Sequence, residues 1–159
     1  MEDKIGYKPV WTIRKFEDDE AYKNNTPYEV KDIEGNLALN EGIGAFLLLL
    51  TGGTATAYNN TNSRLGVGDS TTAAAATQTD LQAATNKLYK AVDATYPTIG
   101  DQTVTWRATF GTTEANFAWE EYTVDNGATA AKNLNRKVSS LGTKLSGQTW
   151  VLDLQITWS

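Results

Sequence analysis

Hydrophobic and polar positions alternate with a period of two along much of the second half of the chain. Between Gln102 and Val124, Val104, Trp106, Ala108 and Phe110 alternate with Thr103, Thr105, Arg107 and Thr109. That period gives a strand one apolar and one polar face. Gly111, Thr112 and Thr113 interrupt the pattern, and Phe117 and Trp119 resume it. Two long strands joined as a central hairpin are therefore predicted, with the aromatics on the buried side. Beyond Trp119 the phase slips, because Tyr122 and Val124 are apolar where alternation past Glu120 and Glu121 asks otherwise. A bulge near the glutamate pair repairs the phase. Gln148 to Ser159 alternates most cleanly, with Trp150, Leu152, Leu154, Ile156 and Trp158 inward. This strand is expected to be locked into the sheet.

Earlier segments carry shorter signals. Lys4 to Phe16 is extended, with Tyr7, Trp11 and Ile13 on one face. Pro9 cannot donate to a ladder, so the segment is predicted to be an edge strand or an extended arm. Read as an arm, it pairs with a neighbouring subunit; read as an edge, it begins the first hairpin of the core. Glu17 to Glu20 is an acidic loop, and Tyr28 to Ile33 a short strand. Asn40 to Thr51 has helical spacing: Ile43, Phe46, Leu47 and Leu50 form a stripe, Asn40 offers a cap and Gly52-Gly53 a stop. Leu48 and Leu49 widen that stripe, so the helix is either deep in the core, the preferred reading, or part of a subunit interface.

Ser63–Gly68 and Asn86–Val92 read as strands flanking a Thr- and Ala-rich connector, residues 69–85, expected to wrap over the sheet as a loop. Asp125-Asn126-Gly127 is a turn, and Asn133 to Leu141 a further strand. The fold class is mainly β: an antiparallel β-sandwich or flattened barrel with one α-helix near residues 40–51. Residues 1–34 form the N-terminal arm or edge segment and residues 35–159 a single sandwich domain.

Composition narrows the chemistry. The chain has 159 residues, 40% hydrophobic and 21% charged, which fits one folded domain with a real core. A net charge of −5 disfavours duplex nucleic acid and anionic membrane as partners, since both need a cationic face. The sequence holds no Cys and no His. That removes thiolate chemistry, the Ser-His-Asp arrangement and most zinc sites. A non-enzymatic protein without cofactor or metal is the expectation. MEDKIGYK is acidic and lacks the apolar core of a signal peptide, and the apolar run Ala45–Leu50 is too short to span a bilayer.

The remaining candidates for chemistry are weak. Gly66-Val67-Gly68-Asp69 lacks the third glycine or the lysine of a nucleotide loop, and reads as a strand ending in a positive-φ turn. Glu114, Glu120 and Glu121 could form a glycosidase-like pair, but adjacent strand residues point to opposite faces, leaving at least one of them solvent-exposed. Asp69, Asp80 and Asp125 lack calcium-loop spacing. Trp106, Trp119, Trp150 and Trp158 lie in phase with core residues, which leaves Trp11 as the interface anchor. Acidic residues 17–20 and the basic stretch Lys132, Arg136, Lys137 and Lys144 could form complementary patches for self-association. The interface candidates are thus Tyr7, Trp11, Ile13, Phe16, Asp18, Asp19, Arg136 and Lys137.

Three stretches, LGVGDSTTAAAATQTDL (Leu65–Leu81), VTWRATFGTTEANFAWEEYTVDNG and LGTKLSGQTWVLDLQITWS, together resemble small virion structural proteins of tailed bacteriophages. The likeness spans about residues 35–159. It implies a capsid decoration protein on the outer surface of the head, partnered by the major capsid protein shell and by further copies of itself. A tail-fibre or tail-tip module binding a host receptor is the alternative the resemblance allows.

Overall fold

The computed structural model describes residues 6–127 and 129–159; Lys4 and Ile5, included above in the first extended segment, lie outside them. The period-two segments are strands, arranged in two antiparallel five-stranded sheets that face each other as a sandwich. The first sheet contains β1 (Tyr7–Phe16), β2 (Glu29–Glu34), β6 (Thr98–Gly100), β7 (Thr103–Phe110) and β10 (Thr149–Trp158), in the order β2-β1-β10-β7-β6. The second contains β3 (Leu37–Ala38), β4 (Arg64–Gly68), β5 (Lys87–Ala91), β8 (Ala118–Asp125) and β9 (Asn135–Thr143), in the order β3-β9-β8-β4-β5. Two helices interrupt them: α1 (Asp19–Lys23) and α2 (Asn40–Leu50).

β10 occupies the centre of the first sheet, and its inward residues Trp150, Leu152, Leu154 and Ile156 are buried as their alternation requires. Aromatic rings bridge the sheets edge-to-face. Trp11 meets Tyr122 at 4.8 Å between centroids, Phe110 meets Trp119 at 4.7 Å, and Trp119 meets Trp150 at 5.0 Å. Such pairs add to the large apolar area each ring buries. Asp153, on the outer face of β10, is buried by pairing: Arg14 donates to it at 2.9 Å and Arg107 forks onto it with two bonds of 2.7 Å.

Two expectations about topology are corrected. β1 is neither an arm nor an edge strand, because it lies hydrogen-bonded between β2 and β10 and its Trp11 and Ile13 are core residues. Pro9 is tolerated there because β2 pairs only from Val10 onward, so no ladder donor is needed at position 9 on that side. β7 and β8 do not form a hairpin. Their apolar faces oppose one another across the core, and residues 111–117 carry the chain from one sheet to the other. The bulge at the glutamate pair is present: the β8–β9 register shifts between Trp119 and Glu121. It keeps Trp119, Tyr122 and Val124 in the core and turns Glu121 to the opposite face.

Residues 69–86 form the expected loop over that opposite face, and a buried ion pair pins it. Arg136 Nε donates to Glu121 Oε2 at 2.7 Å and its Nη2 lies 2.6 Å from the same oxygen, with both side chains fully buried. Glu121 also accepts the N–H groups of Gln82 and Ala83, at 2.9 and 2.7 Å, while Arg136 donates to the Gln78 side chain and to the Thr72 carbonyl. Gly66 and Gly68 serve this layer rather than a positive-φ turn. A Cβ on Gly66 would lie 2.5 Å from the Tyr89 ring, and one on Gly68 would lie 2.6 Å from Glu121 Oε1. Replacing Arg136 by Met leaves the Glu121 carboxylate buried without its cation. The expected loss is ~3–5 kcal/mol, read as a fall in the urea midpoint, whereas Lys137→Met beside it should cost little.

At the other end of the sandwich Lys144 is buried, its ammonium donating at 2.7 Å to both the Gly111 carbonyl and the Asn116 side chain. Burial lowers its pKa to about 8, opposed by the charges of Glu114 and Asp19. The unfolded chain therefore holds more protons than the native one between about 8 and the ordinary lysine value, and stability rises with pH through that window. Tyr58, Tyr89 and Tyr122 act oppositely at higher pH. Burial raises their hydroxyl pKa values, so the unfolded state ionises first and stability falls. Urea midpoints measured between pH 7 and 10 should climb above pH 8, and Lys144→Met should flatten the climb.

Candidate interaction surface

Helix α2 packs on the domain through its small residues. Gly42 and Ala45 are its buried positions, and the helix start is tied to residues 133–134 and to the loop between β4 and β5. Leu39 N–H donates to the Leu134 carbonyl, Asn40 N–H to the Ala76 carbonyl, and Glu41 Oε1 accepts the Asn133 N–H at 2.7 Å. Asn40 is thus the first helical residue rather than the cap, a position held by Leu39. Backbone contact is close enough that a Cβ on Gly42 would stand 2.5 Å from the Asn133 carbonyl and would also collide with Leu134 Cα.

The large residues face outward. Ile43, Phe46, Leu47, Leu48 and Leu50 are all exposed, which corrects the expectation of core burial. Four of them, Ile43, Phe46, Leu47 and Leu50, form one wall of a groove of about 760 Å³. Tyr7, Trp106, Ile156 and Trp158 line it from the first sheet, and Ile99 of β6 stands at its rim. Phe46 stacks on Trp158 with centroids 5.5 Å apart and planes 9° from parallel, and Trp158 meets Tyr7 at 5.1 Å. The indole N–H of Trp106 is satisfied by the Tyr58 carbonyl at 3.2 Å, so the groove presents carbon almost throughout. Glu41, the one ionised side chain on α2, points away toward Asn133 and Lys132.

The interface residues expected from sequence are mostly elsewhere. Trp11, Ile13, Phe16 and Arg136 are buried inside this domain. Asp18 caps α1, accepting the Ala21 N–H at 2.7 Å, and Asp19 accepts from the Thr149 hydroxyl. Lys137 donates to the Glu34 carbonyl. With Arg136 and Lys144 buried and Lys132 near Glu41, the basic stretch is used internally rather than displayed as a patch. Tyr7 alone of the eight borders the groove. Among the tryptophans the roles are exchanged: Trp11 is core, and Trp158 is the half-buried ring at the surface.

The carboxylates are likewise occupied. Burial alone would raise the Glu114 carboxyl, but Lys90 at 2.5 Å and the Gly111 N–H outweigh it and hold it below the ordinary range. Asp80 is held low in the same way, burial being outweighed by Lys87 and Tyr89. Asp125 is raised by burial despite its two bonds to Arg64. Among the described residues, no cluster of three or more acidic side chains is placed to hold a metal ion. Comparison with protein-family models, with curated proteins and with solved structures finds no match to this chain.

The apolar surface had one signal in the sequence that the stripe reading passes over. Gly42 and Ala45 lie three apart, and small residues at that spacing mark a close backbone approach on their side of the helix. Gly42→Ala is expected to destabilise by ~1–3 kcal/mol through overpacking against Asn133 and Leu134, in spite of alanine's better helix propensity. Gly44 has open space around its Cβ position. There the same substitution should stabilise by ~0.5–1 kcal/mol; thermal melts of the two variants read the contrast.

Proposed function

We propose that the protein is a structural component of a tailed-bacteriophage virion that decorates the head shell and attaches to protein neighbours through the α2 surface. The observation that supports this reading is the division of labour on the molecule. Carboxylates that could do chemistry are engaged in holding loops, while an uncharged apolar groove is left uncommitted. A rigid body with one adhesive face suits bridging between subunits of a lattice. Repetition around a shell multiplies modest individual affinities by raising the effective concentration of each contact. Net negative charge is compatible with an outer position, where packaged DNA is not touched.

Purified protein mixed with expanded shells lacking it should bind in many copies per shell, counted after sedimentation. Binding to host cells but not to shells would replace this reading with receptor recognition.

A further inference from the structure

We infer that the α2 surface is a self-association site, and that two copies pair through it about a two-fold axis. The inference deepens the proposed function by naming the partner of that face, and it rests on reading the face as an attachment surface.

Area is the first argument. Ile43, Phe46, Leu47, Leu50 and Ile99 retain 42, 39, 50, 69 and 80% of their accessible surface. At the size of large apolar side chains this amounts to on the order of 450 Å² of apolar surface. A partner in a standard interface contributes about 800 Å², somewhat more than half of it apolar. The patch therefore supplies about the apolar share of one half of a stable dimer, and the polar remainder must come from the surface around it.

Shape and charge are the second and third arguments. An isologous interface requires a surface to complement itself. Here the projecting side chains, Leu50 and Ile99, stand beside the groove that could receive them from a second copy. β6 adds a strand edge at the same place, since it is the outermost strand of the first sheet and, among the described residues, pairs only with β7. Because the groove-lining side chains are uncharged, pairing leaves no buried ion unpartnered. Each chain carries −5 overall, so the copies repel weakly at long range, and salt should strengthen the pair by screening that repulsion.

Sedimentation velocity of the full chain across a concentration series provides the test. A dimer is expected, with its dissociation constant unchanged or lowered when NaCl is raised from 0.05 to about 0.5 M, a range over which surface charges become largely screened. Leu50→Glu should weaken it by ~30-fold or more, the effect of losing one central anchor. Ile99→Glu, on a different element, should do the same. Both positions are so exposed that near-ultraviolet circular dichroism and the urea midpoint should remain those of the parent. A monomer at all concentrations would overturn the inference, as would an oligomer untouched by both substitutions or one that salt dissolves. Shell binding, measured on the same samples, separates the two claims. Monomers that still decorate shells would sink self-association alone; dimers that ignore shells would sink decoration alone.

Discussion

The buried pair of Glu121 and Arg136 is the constraint on which the rest of this structure hangs. Two ions out of water are costly unless every lone pair and proton finds a partner. Here the partners come from the loop 69–86, through Thr72, Gln78, Gln82 and Ala83. The pair therefore cannot be satisfied unless the loop lies flat on the second sheet. Further anchors lie along the loop, where Ala76 and Thr79 offer carbonyls, Lys87 and Tyr89 hold Asp80, and Leu81 and Ala83 are buried. The β-bulge before Glu121 and the absence of a side chain at Gly68 are what admit the carboxylate to that face.

From that layer the constraint passes to α2. The carbonyl of Ala76 receives the first helical N–H, and the carbonyl of Thr79 receives the Asn133 side chain that also touches Glu41. Asn133 Oδ1 lies 3.1 and 3.0 Å from the Tyr89 and Thr123 hydroxyls, so strand, loop and helix start share one polar network. The helix is fixed at its N-terminal end by hydrogen bonds and along its side by Gly42. Its large apolar residues are left over. Burying them against the domain would require a longer standoff than Gly42 and Ala45 set, so they are displayed instead. The adhesive face is in this sense a product of how closely the helix is drawn in.

Much of the fold was legible from pattern alone, and particular elements show where legibility stopped. β10, β4 and β5 lie where alternation placed them within a residue or so, and the bulge at Glu120–Glu121 follows from a single slip of phase. β7 and β8 were recognisable as strands but not as members of different sheets, because period two reports which face is apolar and not which strand lies alongside. Arg136 read as surface charge because its counter-ion sits 15 residues away on a strand whose face depends on the bulge. Trp11, Ile13 and Phe16 read as interface residues, and are core, for a related reason. A proline can mark an edge, yet Pro9 sits just beyond the end of its neighbour's ladder.

What the sequence by itself determined was the set of faces and the exclusions. Alternation specifies the inward residues of each strand, helical spacing specifies α2, and the lack of Cys and His removes whole classes of chemistry. Tertiary structure decided the partners: β1 inside its sheet, the loop sealed by an ion pair, and α2 turned with small residues inward. A helix apolar on nearly all sides has no preferred orientation of its own. Only the backbone of residues 133–134, pressed against Gly42, chooses which side is hidden.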